Sequence, residues 1–170
     1  MDHQNIRQKY LEIYDKYADA IFRYCFFKTS DRQTAFDISQ ETFMKLWEYM
    51  ISGKQIENIK AFMYRVAGNT IIDNYRKKKS ISLEMILDKG FDARSETDTK
   101  LEMEKISDGE QAMRLLRTME DKYCKVLMFR FVDDLSIKEI AQVLGETENN
   151  ISVRISRGLD KLKKLLIQNG

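Results

Sequence analysis

Apolar residues return along the first half of the chain at helical intervals. Leu11, Tyr14, Ala18, Ile21, Phe22 and Cys25 mostly follow steps of three and four, and predict a helix with one apolar face. A second helix is expected over 33–50, with Ile38, Thr42, Leu46 and Tyr49 inward and Asp37, Gln40, Glu41, Lys45 and Glu48 outward. Gly53 marks a loop over 51–58. Asn58 suits an N-cap, opening a third helix with Ile59, Phe62, Val66 and Thr70 on its buried side and an end near Lys79. The periodicity fades beyond Lys77, and "GFDARSETDT", 90–99, reads as a tether. It resumes near Asp108, with helices expected over 109–119, 121–132, 136–144 and 147–166. The expected fold class is all-α: two small helical domains, 1–84 and 108–170, joined by a flexible acidic linker over 85–107.

The most informative pattern is "LSIKEIAQVLGETENNISVRISRG", 135–158. Ser136 followed three residues later by Glu139 is a capping box, and Ile137, Ile140, Ala141 and Leu144 give the helix behind it a buried face. Gly145 ends that helix, and Thr147 can cap the next. There Ile151, Ile155, Leu159, Leu162 and Leu166 form an inward stripe. At about 100° per residue, Asn149, Val153, Ser156 and Arg157 lie opposite the stripe, flanked by Asn150 and Ser152. A helix roughly 10–12 Å across enters the DNA major groove, where short polar side chains near its N-terminus can reach base edges. Arg154, Arg157 and Lys161 are placed to reach phosphates. The stretch therefore reads as a helix-turn-helix, and by itself it suits any regulator of that kind.

Composition agrees with helices: the chain has no proline, seven glycines and 43% hydrophobic residues. The net charge of +2 conceals a pattern. Residues 64–79 carry Arg65, Arg76, Lys77, Lys78 and Lys79 against Asp73, and 149–164 carry Arg154, Arg157, Lys161, Lys163 and Lys164 against Asp160. Between them lie Asp92, Glu96, Asp98, Glu102, Glu104, Asp108 and Glu110. Two basic modules flanking an acidic bridge suit a phosphate-bearing partner whose non-specific binding the bridge restrains.

Active-site chemistry finds little support. The one histidine, His3, stands near a terminus, and Cys25 and Cys124 lie far apart in apolar surroundings, as reduced core thiols do. No phosphate-binding loop motif occurs, so no cofactor, metal or small-molecule substrate is expected. No run of about 18 apolar residues and no charged-then-apolar leader is present, so a cytoplasmic protein without direct membrane insertion is expected.

The N-terminal half separates the helix-turn-helix readings. "DISQETFMKLWEYM", 37–50, followed by "IKAFMYRVAGNTIIDNYRKKK", 59–79, resembles the second conserved region of bacterial RNA polymerase sigma factors of the extracytoplasmic-function type, group IV. The helix-turn-helix unit resembles their fourth region, so the resemblance spans nearly the whole chain apart from tether and termini. It implies a promoter-specificity subunit, not an enzyme, that binds core polymerase and promoter DNA and is commonly restrained by an anti-sigma factor. Carried over by position, Asp37, Gln40, Glu41 and Phe43 would dock on the β′ clamp helices. The loop 51–58 would capture a base flipped from the minus-10 element. Tyr64, Arg65, Asn69, Asp73, Arg76, Lys77 and Lys78 would meet the melted strand, with core packing an equal reading of Tyr64. Glu148, Asn149, Asn150, Ser152, Val153, Arg154, Ser156 and Arg157 would face the minus-35 duplex. The rival reading is a helix-turn-helix repressor or activator whose helical N-terminal half dimerises or senses a ligand.

Overall fold

The computed structural model describes residues 3–88 and 108–169; the expected tether, with Asp92, Glu96, Asp98, Glu102 and Glu104, lies outside them. All elements among the described residues are helices: α1 (His3–Thr29), α2 (Arg32–Ile51), α3 (Ile59–Asp88), α4 (Asp108–Thr118), α5 (Asp121–Leu127) running into a π-helical turn (Met128–Val132), α6 (Ile137–Leu144) and α7 (Glu148–Asn169). The chain divides into two compact units, one built around α1–α3 and the other around α4–α7.

In the first unit α1 and α2 pack along their length and α3 closes the bundle. Asp31 caps α2, its carboxylate accepting from Thr34 N at 2.8 Å, and α2 buries Ala35, Ile38, Ser39, Thr42, Phe43 and Leu46. Asn58 caps α3 as expected, accepting from Ala61 N at 2.9 Å. The buried stripes of α1 and α3 are rotated from the expected ones. Ile6, Ile13, Ile21, Tyr24 and Cys25 go inside in α1, leaving Leu11 and Tyr14 over 40% exposed; in α3 the inner set is Ala61, Met63, Tyr64, Ala67, Thr70 and Ile71. α3 also outruns its expected end near Lys79, since the sequence from Ser80 to Asp88 holds no glycine or proline to break it. Gly68 permits close packing: a Cβ there would stand 3.3 Å from the Tyr24 hydroxyl.

In the second unit α7 packs on α4 and α5. Gly158 lies on its buried side, and a Cβ there would meet Leu127 at 3.2 Å, so the glycine sets how closely α5 and α7 approach. The expected single helix over 121–132 changes register near its end. Val126, Leu127, Met128 and Phe129 are all buried, and no one face of an α-helix holds four consecutive side chains. The widened π turn accommodates them: Asp133 N donates to Met128 O at 3.0 Å, and Phe131 is turned outward, 60% exposed. Arg130 donates to Leu135 O at 3.1 Å, securing the entry to α6.

Both thiols are buried and neither forms a disulfide; burial pushes the Cys25 thiol up to about 12. No described helix is long and apolar enough to cross a membrane.

Candidate nucleic-acid and polymerase interface

The helix-turn-helix is assembled by local hydrogen bonds. Ser136 N donates to the Glu139 carboxylate at 2.8 Å and Glu139 N donates to Ser136 Oγ at 3.2 Å, closing the capping box. Gly145 turns the chain at φ +67°, a left-handed conformation that suits glycine. Thr147 Oγ1 then accepts from Asn150 N at 3.3 Å and starts α7. Ile140 and Ile151 are wholly buried, and Ile155, Leu159, Leu162 and Leu166 are half-buried, so the inward stripe is the expected one. Glu148, Asn149, Asn150, Ser152, Val153, Ser156 and Arg157 are all exposed. Ser152 Oγ donates to Glu148 O at 2.9 Å, which holds that hydroxyl against the helix.

Two cations expected at phosphates are engaged elsewhere. Arg154 makes a forked pair with Glu146, one arm at 2.9 Å, with both side chains about three-quarters buried. It thereby ties the turn to the first part of α7. Lys161 pairs with Glu120 and lies over the Tyr123 ring, 4.4 Å from its centroid. Lys122 and Lys161 together hold the Glu120 carboxyl down at about 2. Arg157 is the exposed cation on the outward face of α7 near its start.

In the first unit, α3 presents Arg65, Asn69, Asp73, Arg76 and Lys77 to the outside, with Arg76 and Asp73 3.9 Å apart. Lys78 and Lys79 continue α3, and their side chains lie outside the described residues. Tyr64 is different: it is fully buried, edge-on to Tyr24 at 5.3 Å, because α3 turns it toward α1. It is a core residue, not a surface contact. Loop 51–58 contains no aromatic residue, yet its flanking helices bring two to it. Tyr49 from α2 and Phe62 from α3 stand 5.0 Å apart, while Lys54 lies 5.5 Å from the Tyr49 ring centre. Sequence spacing had placed both rings on inward stripes, and both are half-buried. Gly53, at φ +74°, turns the loop.

The outer face of α2 carries Asp37, Gln40 and Glu41 as expected, with Gln33 donating to Asp37 at 2.9 Å and Lys45 pairing with Glu41 at 2.7 Å. Phe43 does not join them. It is 3% exposed and packs on the Tyr14 ring at 4.7 Å, since it falls on the side of α2 that meets α1. The apolar residues on the exposed face are Phe36, 49% exposed, and Met44, 61% exposed. Periodicity had not singled them out. Among the described residues no group of three or more His, Cys, Asp or Glu side chains could hold a metal ion.

A helical unit with a half-buried pair of rings beside a polar and basic helix, and a second unit ending in a capped helix-turn-helix, define a two-part DNA-binding protein of the sigma-70 class. The sigma-70 region 2 family model matches residues 13–81, and the sigma-70 region 4 model matches 109–162. The ECF RNA polymerase sigma factor SigW of Bacillus subtilis is 28% identical over 168 residues, covering 92% of this chain and 88% of SigW. SigM of the same organism is 27% identical over 157 residues, covering 91% and 93%. The solved sigma factor RpoE, in complex with the anti-sigma factor NepR from Bartonella quintana, shares the fold with a TM-score of 0.69 at 18% identity, over 94% of this chain and 97% of that one. The chain belongs to the sigma-70 family and is an extracytoplasmic-function sigma factor, a non-enzymatic initiation factor that directs RNA polymerase to promoters.

Proposed function

We propose that the unit over 1–84 docks on the β′ clamp helices of core polymerase and opens the minus-10 element, that 85–107 is a linker, and that the unit over 108–170 reads the minus-35 duplex. The carrying observation is the division of labour between surfaces: a pair of rings flanking a loop in one unit, short polar side chains on an exposed helix in the other. Single-stranded DNA offers unstacked bases to rings and amides, and the Tyr49–Phe62 pair, with Arg65 and Asn69 exposed on α3, suits a flipped base followed by a phosphate track. Duplex DNA offers base edges, which Asn149, Asn150 and Ser156 can address while Arg157 holds a phosphate.

Docking on polymerase is assigned to the outer face of α2. Phe36 and Met44 supply an apolar centre and Asp37, Gln40, Glu41 and Glu48 a polar rim, the usual arrangement of a protein interface. The rim governs orientation and rate of encounter more than affinity. Phe43 and Tyr64 serve beneath these surfaces, fixing α2 and α3 from inside. Work on promoters places the protein in the cytoplasm. An anti-sigma factor is a further proposed partner, supported by the similar RpoE having been solved with NepR.

Reconstitution with core RNA polymerase tests the assignment. Run-off transcription should initiate at specific promoters only when the protein is present. Replacing Asn149 or Asn150 by Ala should relax minus-35 preference by about 1–3 kcal/mol per affected base pair, whereas Arg157→Ala should weaken binding to all sequences alike. Tight binding to intact duplex sites without polymerase, and no initiation with it, would overturn the proposal.

A further inference from the structure

The outward pole of the recognition helix is aliphatic. At about 100° per residue, Val153 lies directly opposite the buried side of α7, which holds Ile151, Ile155 and Gly158. Its side chain is 42% exposed, and its neighbours on that face are Asn149, Asn150, Ser156 and Arg157, every one polar. An aliphatic group at the position that enters the groove first cannot exchange hydrogen bonds with a base edge. It removes water from whatever it meets, and an unfavourable exposure becomes favourable only if that surface is apolar. The major groove presents one apolar group, the C5-methyl of thymine.

We infer that Val153 is a specificity-determining residue, one that selects a T·A pair in the minus-35 element by packing on the thymine methyl. The inference rests on the proposed duplex reading by α7 and adds a base identity to it. Flanking asparagines would discriminate neighbouring pairs through hydrogen bonds, so the methyl contact is separable from them chemically.

The test uses holoenzyme reconstituted with core polymerase and a promoter fragment selected by that holoenzyme from a randomised pool. Each thymine of its minus-35 element is replaced singly by deoxyuridine, which deletes only the methyl. At one position the wild-type protein should bind about fourfold more weakly after the replacement, the worth of one buried methyl-sized group. Val153→Ala should bind thymine and uracil alike at that position, and Asn149→Ala should keep the wild-type ratio. Because Val153 is exposed, both variants should share the wild-type thermal midpoint within a few degrees. A selected element without thymine, a uracil scan that shows no loss, or a Val153→Ala protein that keeps the ratio would each overturn the inference. In all three cases specific initiation would persist and the sigma reading would stand. Loss of any minus-35 dependence in wild-type holoenzyme would sink both.

Discussion

On the proposed assignment, the two sites of this protein solve recognition with opposite materials. On α7 the outward face has no ring, and its side chains, polar apart from Val153, are set on a helix whose start is fixed by Thr147 and which follows a helix started by the Ser136–Glu139 capping box. At the α2–α3 junction two rings meet across a loop, with the Lys54 ammonium beside one of them. A stacked duplex exposes edges, which call for donors and acceptors held in register. A melted strand exposes faces, which call for flat apolar surface and a charge to follow the phosphates. Rigidity is therefore concentrated where geometry is read and aromatic area where stacking is captured.

The strongest way to break this contrast is to remove a ring. Phe62→Ala should reduce capture of the opened minus-10 strand by about 1–3 kcal/mol, roughly 5- to 150-fold, with minus-35 selectivity unchanged. Permanganate reactivity of thymines in holoenzyme–promoter complexes measures the first quantity, and competition with minus-35 variants the second. Phe62→Leu, which retains apolar area without a π-face, distinguishes stacking from packing and should recover only part of the loss. Equal damage to both readouts would mean that the rings support the fold instead of the strand.

A smaller effect is expected from loosening the scaffold of the other site. Ser136→Ala removes the acceptor for Glu139 N and one partner of the Glu139 carboxylate, and should cost about 1 kcal/mol of stability. Thermal unfolding should show a drop of a few degrees, and discrimination between minus-35 variants should fall with it, because the angle at which α7 enters the groove depends on α6. Minus-10 opening should not change. A variant that loses stability with its selectivity intact would show that the cap stabilises the helix without positioning α7.

What the sequence disclosed follows the same division. The helix-turn-helix was legible almost residue by residue, since caps, a left-handed glycine and a helical stripe are all determined within a few residues of one another. Burial in α1 and α3 was less legible. Aromatic and aliphatic residues surround both helices, and only packing against neighbours decides that Ile13 goes inside while Leu11 and Tyr14 stay outside, or that Tyr64 faces Tyr24. The π turn was hidden because "VLMF" is equally apolar in either register, and the choice is made by the bonds that Asp133 and Leu135 donate to Met128 and Phe129. The partners of the cations were hidden for a related reason. Glu120 lies 41 positions from Lys161, and no local rule brings them together. The ring pair combines both difficulties, its members coming from either side of a loop that itself holds no ring.

The smallest expected effect concerns the one forked ion pair at the recognition helix. Glu146 holds Arg154 on the flank of α7, and while it does so the guanidinium is a brace for the turn and not a contact for DNA. Glu146→Gln keeps the side chain's shape and one acceptor but deletes its charge. The pair is partly buried, so a loss on the order of 0.5 kcal/mol of stability is expected, within the range for ion pairs that still meet solvent. Binding should change in the opposite sense. With Arg154 released and a carboxylate removed from the neighbourhood of the phosphates, duplex affinity at low salt should rise. The slope of log affinity against log salt should steepen by about 0.9, the signature of one further neutralised phosphate. Combining Glu146→Gln with Arg154→Ala should return the slope to the wild-type value. If the single variant leaves the slope unchanged, Arg154 is a brace in both free and bound protein, and phosphate contact near the start of α7 falls to Arg157.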